Sequence, residues 1–173
     1  MKTKSTRNGA EGAYSDVIEL VPSMLHLKTI LVPVDFSGHS RKALRYAAAF
    51  AEQFGARLTL LNISEPRMYA PEFAAVPLVM ERDAELATRR KQLKALARES
   101  IEPRLLEKTL VRSGTPFHEI TEAARTLRAD LIILATHGYT GVKRVLLGST
   151  AERVVRHAPC PVLVVREKEH GFA

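Results

Sequence analysis

The segment ATHGYTGVKRVLLGST, residues 135–150, follows the apolar run DLIIL and concentrates residue types that can hold an anion. Gly138 and Gly148 let a ligand approach the backbone with no Cβ in the way. Gly148-Ser149-Thr150 stands where a helix is expected to begin, and the unpaired first-turn N–H groups of such a helix, with its dipole, attract phosphate. The same residues have a plainer use. Ser149 and Glu152 have the S-x-x-E spacing of a capping box, which would only start the helix, and Gly138 and Gly141 could simply turn the chain. Asp35, which ends the run TILVPV, favours the ligand reading. If its strand neighbours DLIILAT, its carboxylate faces the same crevice and can hold a ribose hydroxyl or a magnesium ion; otherwise it serves to cap the next helix.

Charge and composition narrow the partner. The 173 residues carry a formal net charge of +7, and Lys143, Arg144, Arg153 and Arg156 face only Glu152 between residues 141 and 156. An anionic partner is implied. Aromatic residues make up 6% and do not interleave with the basic ones, which argues against single-stranded nucleic acid. The longest apolar runs, TILVPV and LIILA, are strand-sized, well short of the roughly 18 to 20 residues that cross a bilayer, so no membrane span is expected. The first 27 residues have no secretory core, since VIELV is short and contains an acid, and a cytoplasmic protein is expected. The single cysteine, Cys160, can form no internal disulfide and reads as a small buried hydrophobe.

Several familiar chemistries are missing from the sequence. There is no GxxxxGK[ST], no GxGxxG after the first strand, no HExxH and no GxSxG, so neither a P-loop, a dinucleotide fingerprint, a dedicated zinc site nor a serine nucleophile elbow is expected.

The elements that must position residues 135–150 alternate between strand-like and helix-period stretches, the pattern of an α/β domain with a parallel sheet. TILVPV is the first strand. Ser37 or Ser40 then caps a helix with Ala43, Ala47, Phe50, Ala51 and Phe54 on its apolar face, and Gly55 ends it. RLTLLNI, residues 57–63, is the second strand. Three prolines make EPRMYAPEFAAVP irregular, and residues from about Met80 to Ser100 form a solvated helix with a narrow stripe of Leu86, Leu93 and Ala97. KTLVRSG is the third strand. Thr115-Pro116 opens a helix that buries Phe117, Ile120, Ala124 and Leu127. DLIILAT is the fourth strand, Ser149 to His157 a short helix, and PVLVVR the fifth strand. Residues 1–27 read as a flexible arm in which VIELV could add an edge strand or meet a partner, 28–167 as the domain, and 168–173 as a polar tail.

Taken together, ILVPVD followed by FSGHSRKAL, the segment ATHGYTGVKRVLLGST and the ending AERVVRHAPCPVLVV resemble the universal stress protein family over residues 28–167. The resemblance implies a single three-layer, Rossmann-like adenine-nucleotide-binding fold: a five-stranded parallel sheet of order 3-2-1-4-5 with helices on both faces. It also implies a homodimer joined through the final strand, Pro161 to Val165. One branch of the family binds ATP through GxxGx9G[ST]. On that pattern Gly138 is the second glycine, Gly148-Ser149 completes it, and Ala135 occupies the first glycine position. Should that position require left-handed geometry, a Cβ costs about 1 to 2 kcal/mol; should it not, the change is neutral. Ala151, where some ATP-binding members carry a further hydroxyl, removes one phosphate contact.

By the same carry-over, Pro33, Val34 and Asp35 line the adenosine side, and Asn62 or Ile63 meets adenine through backbone groups. Gly138, Gly148, Ser149 and Thr150 hold phosphates, with His137 beside them and Lys143 and Arg144 as outer charges. The expected cofactors are ATP, or another adenine nucleotide, and Mg at Asp35. The first functional reading is a non-catalytic, dimeric nucleotide sensor that signals to a protein partner. The others are a slow Mg-dependent ATPase, for which His137 is the nearby candidate base, and an interaction module with a vestigial crevice.

Overall fold

The computed structural model describes residues 26–65, 76–136 and 147–166, with the backbone alone for 76–82. Leucine, isoleucine and valine runs form β1 (Thr29–Pro33), β2 (Arg57–Ser64), β3 (Leu106–Ser113), β4 (Leu131–Ala135) and β5 (Val162–Val165). They pair in parallel in the order β3-β2-β1-β4-β5, the order the resemblance implied. The crossovers are α1 (Gly38–Phe54), α2 (Val76–Ser100), α3 (Pro116–Leu127) and α4 (Ser149–His157). Among the described residues no helix is long and apolar enough to cross a membrane.

Side-chain alternation along the strands splits the core into two layers. Ile30, Val32, Leu58, Leu60 and Ile133 pack with Ala43, Leu44, Ala47 and Ala51 of α1 and Leu93, Leu96 and Ala97 of α2. Leu31, Leu61, Ile132 and Leu134 pack on the other face with Ile120, Ala123 and Ala124 of α3 and Ala151 and Val154 of α4. Both faces of the central strands are therefore dry, which is why β1 and β4 run apolar from Ile30 to Val32 and from Leu131 to Leu134. Leu27 also packs into the first layer. At the opposite edge from the βα turns, Asp130 Oδ2 accepts the N–H groups of Lys28 and Thr29, each at 2.8 Å, and ties the entry of β1 to β4.

Helix ends follow local chemistry. Ser37 caps α1, its hydroxyl accepting from the Ser40 N–H at 3.1 Å, and Gly55 closes the helix in the left-handed region at φ 65°. Thr115 is the N-cap of α3 with Pro116 beside it at the first position, although the Thr115 hydroxyl makes no capping bond.

Some boundaries and burials differ from the sequence reading. Helix α2 begins at Val76, four residues before Met80, so Val76 and Pro77 at the end of the expected irregular stretch are helical. Pro77 is tolerated because it falls in the first turn, where the N–H groups of a helix have no intrahelical acceptor. Residues 66–75 of the same stretch, the arm up to residue 25 and the tail from residue 167 lie outside the described residues. Strand β3 starts at Leu106, two residues before KTLVRSG. Phe54 is 40% exposed at the end of α1, and the large side chain buried on that helix, beside Ala43, Ala47 and Ala51, is Leu44. Cys160 is half-buried against the second layer, where desolvation, and then the negative charge of Asp130, push its thiol pKa up.

One buried side chain among the described residues is unsatisfied. Thr59 in β2 is wholly buried, and its hydroxyl has no hydrogen-bond partner. Valine has nearly the same shape without the polar atom, so Thr59→Val is expected to stabilise the fold by about 1 kcal/mol. A urea midpoint at or below that of the wild-type chain would contradict this.

Candidate functional site

All βα turns of a parallel sheet emerge at one edge, and a crevice opens where successive crossovers leave on opposite faces. Here that place is the junction of β1 and β4. A cleft of about 270 Å³ runs from the end of β2 (Ile63, Glu65) across the end of β1 (Pro33, Val34, Asp35) to the end of β4 (Ala135, Thr136) and the start of α4 (Gly148, Ser149, Thr150). Of the residues singled out from the sequence, Pro33, Val34, Asp35, Ile63, Ala135, Gly148, Ser149 and Thr150 thus share one cavity. His137, Gly138, Lys143 and Arg144 lie outside the described residues.

Asp35 has two roles. It lines the cleft, and its Oδ1 accepts from the Ser37 N–H at 3.0 Å and the Ser37 hydroxyl at 2.6 Å. The bond to the N–H two residues on is an Asx turn. It bends the chain from β1 into α1, with Phe36 between them in the left-handed region at φ 67°. The carboxylate is therefore aimed by the serine that caps α1, and Asp35 itself is not the cap.

The β4 end is closed differently. The Thr136 N–H donates to the Val165 carbonyl at 3.0 Å, and the Thr136 carbonyl accepts from the Gly148 N–H at 2.8 Å. That second bond pins together the two ends of the connection between β4 and α4 and sets the start of α4 at the cleft. The capping box expected from Ser149 and Glu152 does not form. Gly148 is the N-cap, in extended geometry at φ −66° and ψ 152°, with no side-chain capping bond. Ser149 is the first helical residue, and Glu152 pairs instead with Arg156, one turn on, at 2.8 Å. The first-turn N–H groups of Ser149, Thr150 and Ala151 consequently have no intrahelical acceptor. Ala135 is the last residue of β4, in register with Val165, and is not in the left-handed region. The backbone penalty that alanine would carry there does not arise.

Of the pair Asn62 and Ile63, Ile63 lines the cleft and the Asn62 side chain does not. Strand alternation turns that side chain to the α2 face, where it borders an open groove with Arg41, Glu85 and Arg89. The fourth strand brings Thr136 to the cleft as its place at the strand's carboxyl end implied, while sequence reasoning missed Ser40, Glu65, Pro116, Ile120 and Leu134 as cleft residues. Glu65 follows β2 at its carboxyl end, a signal available in the sequence. Ile120 had no such signal, because its contribution depends on how α3 lies against the sheet. Among the described residues the cleft lining carries two carboxylates, Asp35 and Glu65, and no cation. No group of three His, Cys, Asp or Glu side chains that could hold a metal occurs among the described residues.

A doubly wound parallel sheet with a helix N-terminus opening into the crevice at its switch point has the architecture of nucleotide-binding α/β proteins. The universal stress protein family model matches residues 26–166. The chain is 36% identical over 146 residues to a universal stress protein of Methanocaldococcus jannaschii, covering 81% of this chain and 82% of that relative. Among solved structures, the universal stress protein UspA from Lactobacillus plantarum matches with a TM-score of 0.68 and 32% identity, over 82% of this chain and 99% of that one. A universal stress protein solved in complex with cAMP shares the fold at a TM-score of 0.59 and 22% identity, over 82% of this chain and 98% of that one. The chain belongs to the universal stress protein family.

Proposed function

We propose that this protein binds an adenine nucleotide, ATP foremost, in the β1/β4 cleft and acts as a nucleotide-dependent module rather than as an enzyme. The observation that carries this reading is the start of α4. Three first-turn N–H groups open onto a cleft whose described lining holds no cation, so a bound anion has the helix terminus as its natural partner. Phosphates then lie at Gly148, Ser149 and Thr150, the ribose beside Asp35, and the base toward Val34 and Ile63. The cAMP-bound relative supports the fold's capacity for such a ligand.

Magnesium fits this donor set as a companion of the nucleotide. Mg²⁺ keeps several waters and takes one or two carboxylates plus phosphate oxygens, and Asp35 offers a carboxylate in the cleft. Its contribution would be to neutralise phosphate charge. For the assembly we propose a cytoplasmic homodimer. Among the described strands β5 is an edge paired to β4 alone, and Val162, Leu163 and Val164 are only half-buried, so a second β5 would cover an exposed apolar edge.

Native mass spectrometry of freshly purified protein tests both parts. The expected result is a dimer carrying an adenine nucleotide that is released on denaturation. A nucleotide-free protein that also fails to take up ATP at millimolar concentration would sink the nucleotide reading and favour an interaction module with a vestigial crevice.

A further inference from the structure

Two residues of α2 brace the base end of the cleft from behind. Ile63 lines the cleft, and its neighbours Asn62 and Ser64 point to the opposite face of the sheet, where they are 1% and 5% exposed. Both are held by α2. The Ser64 hydroxyl donates to Glu85 Oε1 at 2.9 Å, Arg89 Nε donates to the same oxygen at 2.8 Å, and Arg89 Nη1 donates to Asn62 Oδ1 at 3.3 Å. Glu85 and Arg89 are four residues apart, so one face of the helix presents both.

The chain of bonds continues into the cleft wall. Asn62 Nδ2 donates to the Val34 carbonyl at 2.7 Å, and the Val34 N–H donates to the Leu61 carbonyl at 2.8 Å. Val34 is thus held by hydrogen bonds that begin on a helix contributing no described residue to the cleft, and Ile63 lies between two residues that the same helix holds. The groove on the α2 side shares Asp35, Ile63 and Glu65 with the cleft, so a single wall separates them. The Arg89–Asn62 bond is long at 3.3 Å, but Asn62 is 1% exposed and leaving its amide half-paired is costly, so the wall and α2 favour one joint arrangement.

We propose that Arg89, acting through Asn62, is a positioning residue for the cleft and couples its occupancy to the order of α2. The proposal rests on the nucleotide reading above. Coupling between two sites is reciprocal: if α2 holds the wall in its binding geometry, a bound nucleotide steadies α2.

The test combines calorimetric ATP affinity with amide hydrogen exchange of peptides spanning residues 84–98, with and without saturating ATP. It compares the wild-type chain with Arg89→Met, Arg89→Lys and Lys94→Met, the last an exposed substitution on the same helix. In the wild type and Lys94→Met, ATP is expected to slow α2 exchange. Arg89→Met is expected to bind ATP about tenfold more weakly, about 1.4 kcal/mol, and to lose the ATP-dependent slowing, with Arg89→Lys restoring part of both. A wild-type chain that binds ATP without slowing α2 overturns the coupling and leaves the nucleotide reading intact. So does an Arg89→Met chain of lower stability whose affinity and slowing are unchanged. A wild-type chain that binds no ATP overturns both.

Discussion

Gly148→Asp is expected to weaken nucleotide binding by at least about a hundredfold, roughly 2.7 kcal/mol, while leaving the fold as stable as before or more so. The two effects separate because of where Gly148 sits. Its backbone is in the ordinary extended region, which any residue can adopt, so the substitution carries no conformational strain. Aspartate is among the best N-cap residues, and its carboxylate would accept from the first-turn N–H groups that have no side-chain cap in the wild type. That contact stabilises α4 by about 1 kcal/mol and fills the place of the phosphate with a like charge. Calorimetry with ATP and urea unfolding on the same preparation read the two effects. Unchanged affinity would remove the α4 terminus from the site.

Leu60→Ala is expected to destabilise the domain by about 3 to 4 kcal/mol. Leu60 is wholly buried in β2, in the layer between the sheet and helices α1 and α2, so truncation removes buried apolar surface and leaves a cavity. Domains of this kind have total stabilities of about 5 to 15 kcal/mol, so the loss is a large share of the whole. Urea unfolding should show a lower midpoint at an unchanged slope. A loss below about 1 kcal/mol would show that the surrounding layer collapses to fill the space.

How much was legible in the sequence depends on the range of the interactions involved. Strand runs such as LIILA and helix signals such as Gly55 and Thr115-Pro116 act within a few residues, and each element appears near its expected place. The exceptions are also local in origin but settled by competition. Ser149 and Glu152 have capping-box spacing, yet the Thr136 carbonyl fixes the Gly148 N–H and makes Gly148 the cap, while Glu152 turns to Arg156. Phe54 has the right helical spacing for burial but falls at the end of α1, where it stays 40% exposed. For Asp35, spacing could not choose between cap and cleft; Ser37 caps α1, and Asp35 lines the cleft while its carboxylate holds Ser37 through an Asx turn.

By itself the sequence determined the α/β class, the order of elements and the family, because these follow from short-range periodicity and from motifs kept in linear order. Only the tertiary structure decided that Ala135, in the fourth strand the sequence already predicts, carries no left-handed strain, that the Asn62 side chain faces α2, and that Arg89 reaches the same wall from behind. Those outcomes depend on which face of a strand a residue takes and on which helix packs against it. Both are fixed by contacts between segments far apart in the chain, such as Asn62 with Val34 and Arg89, and no local pattern records them.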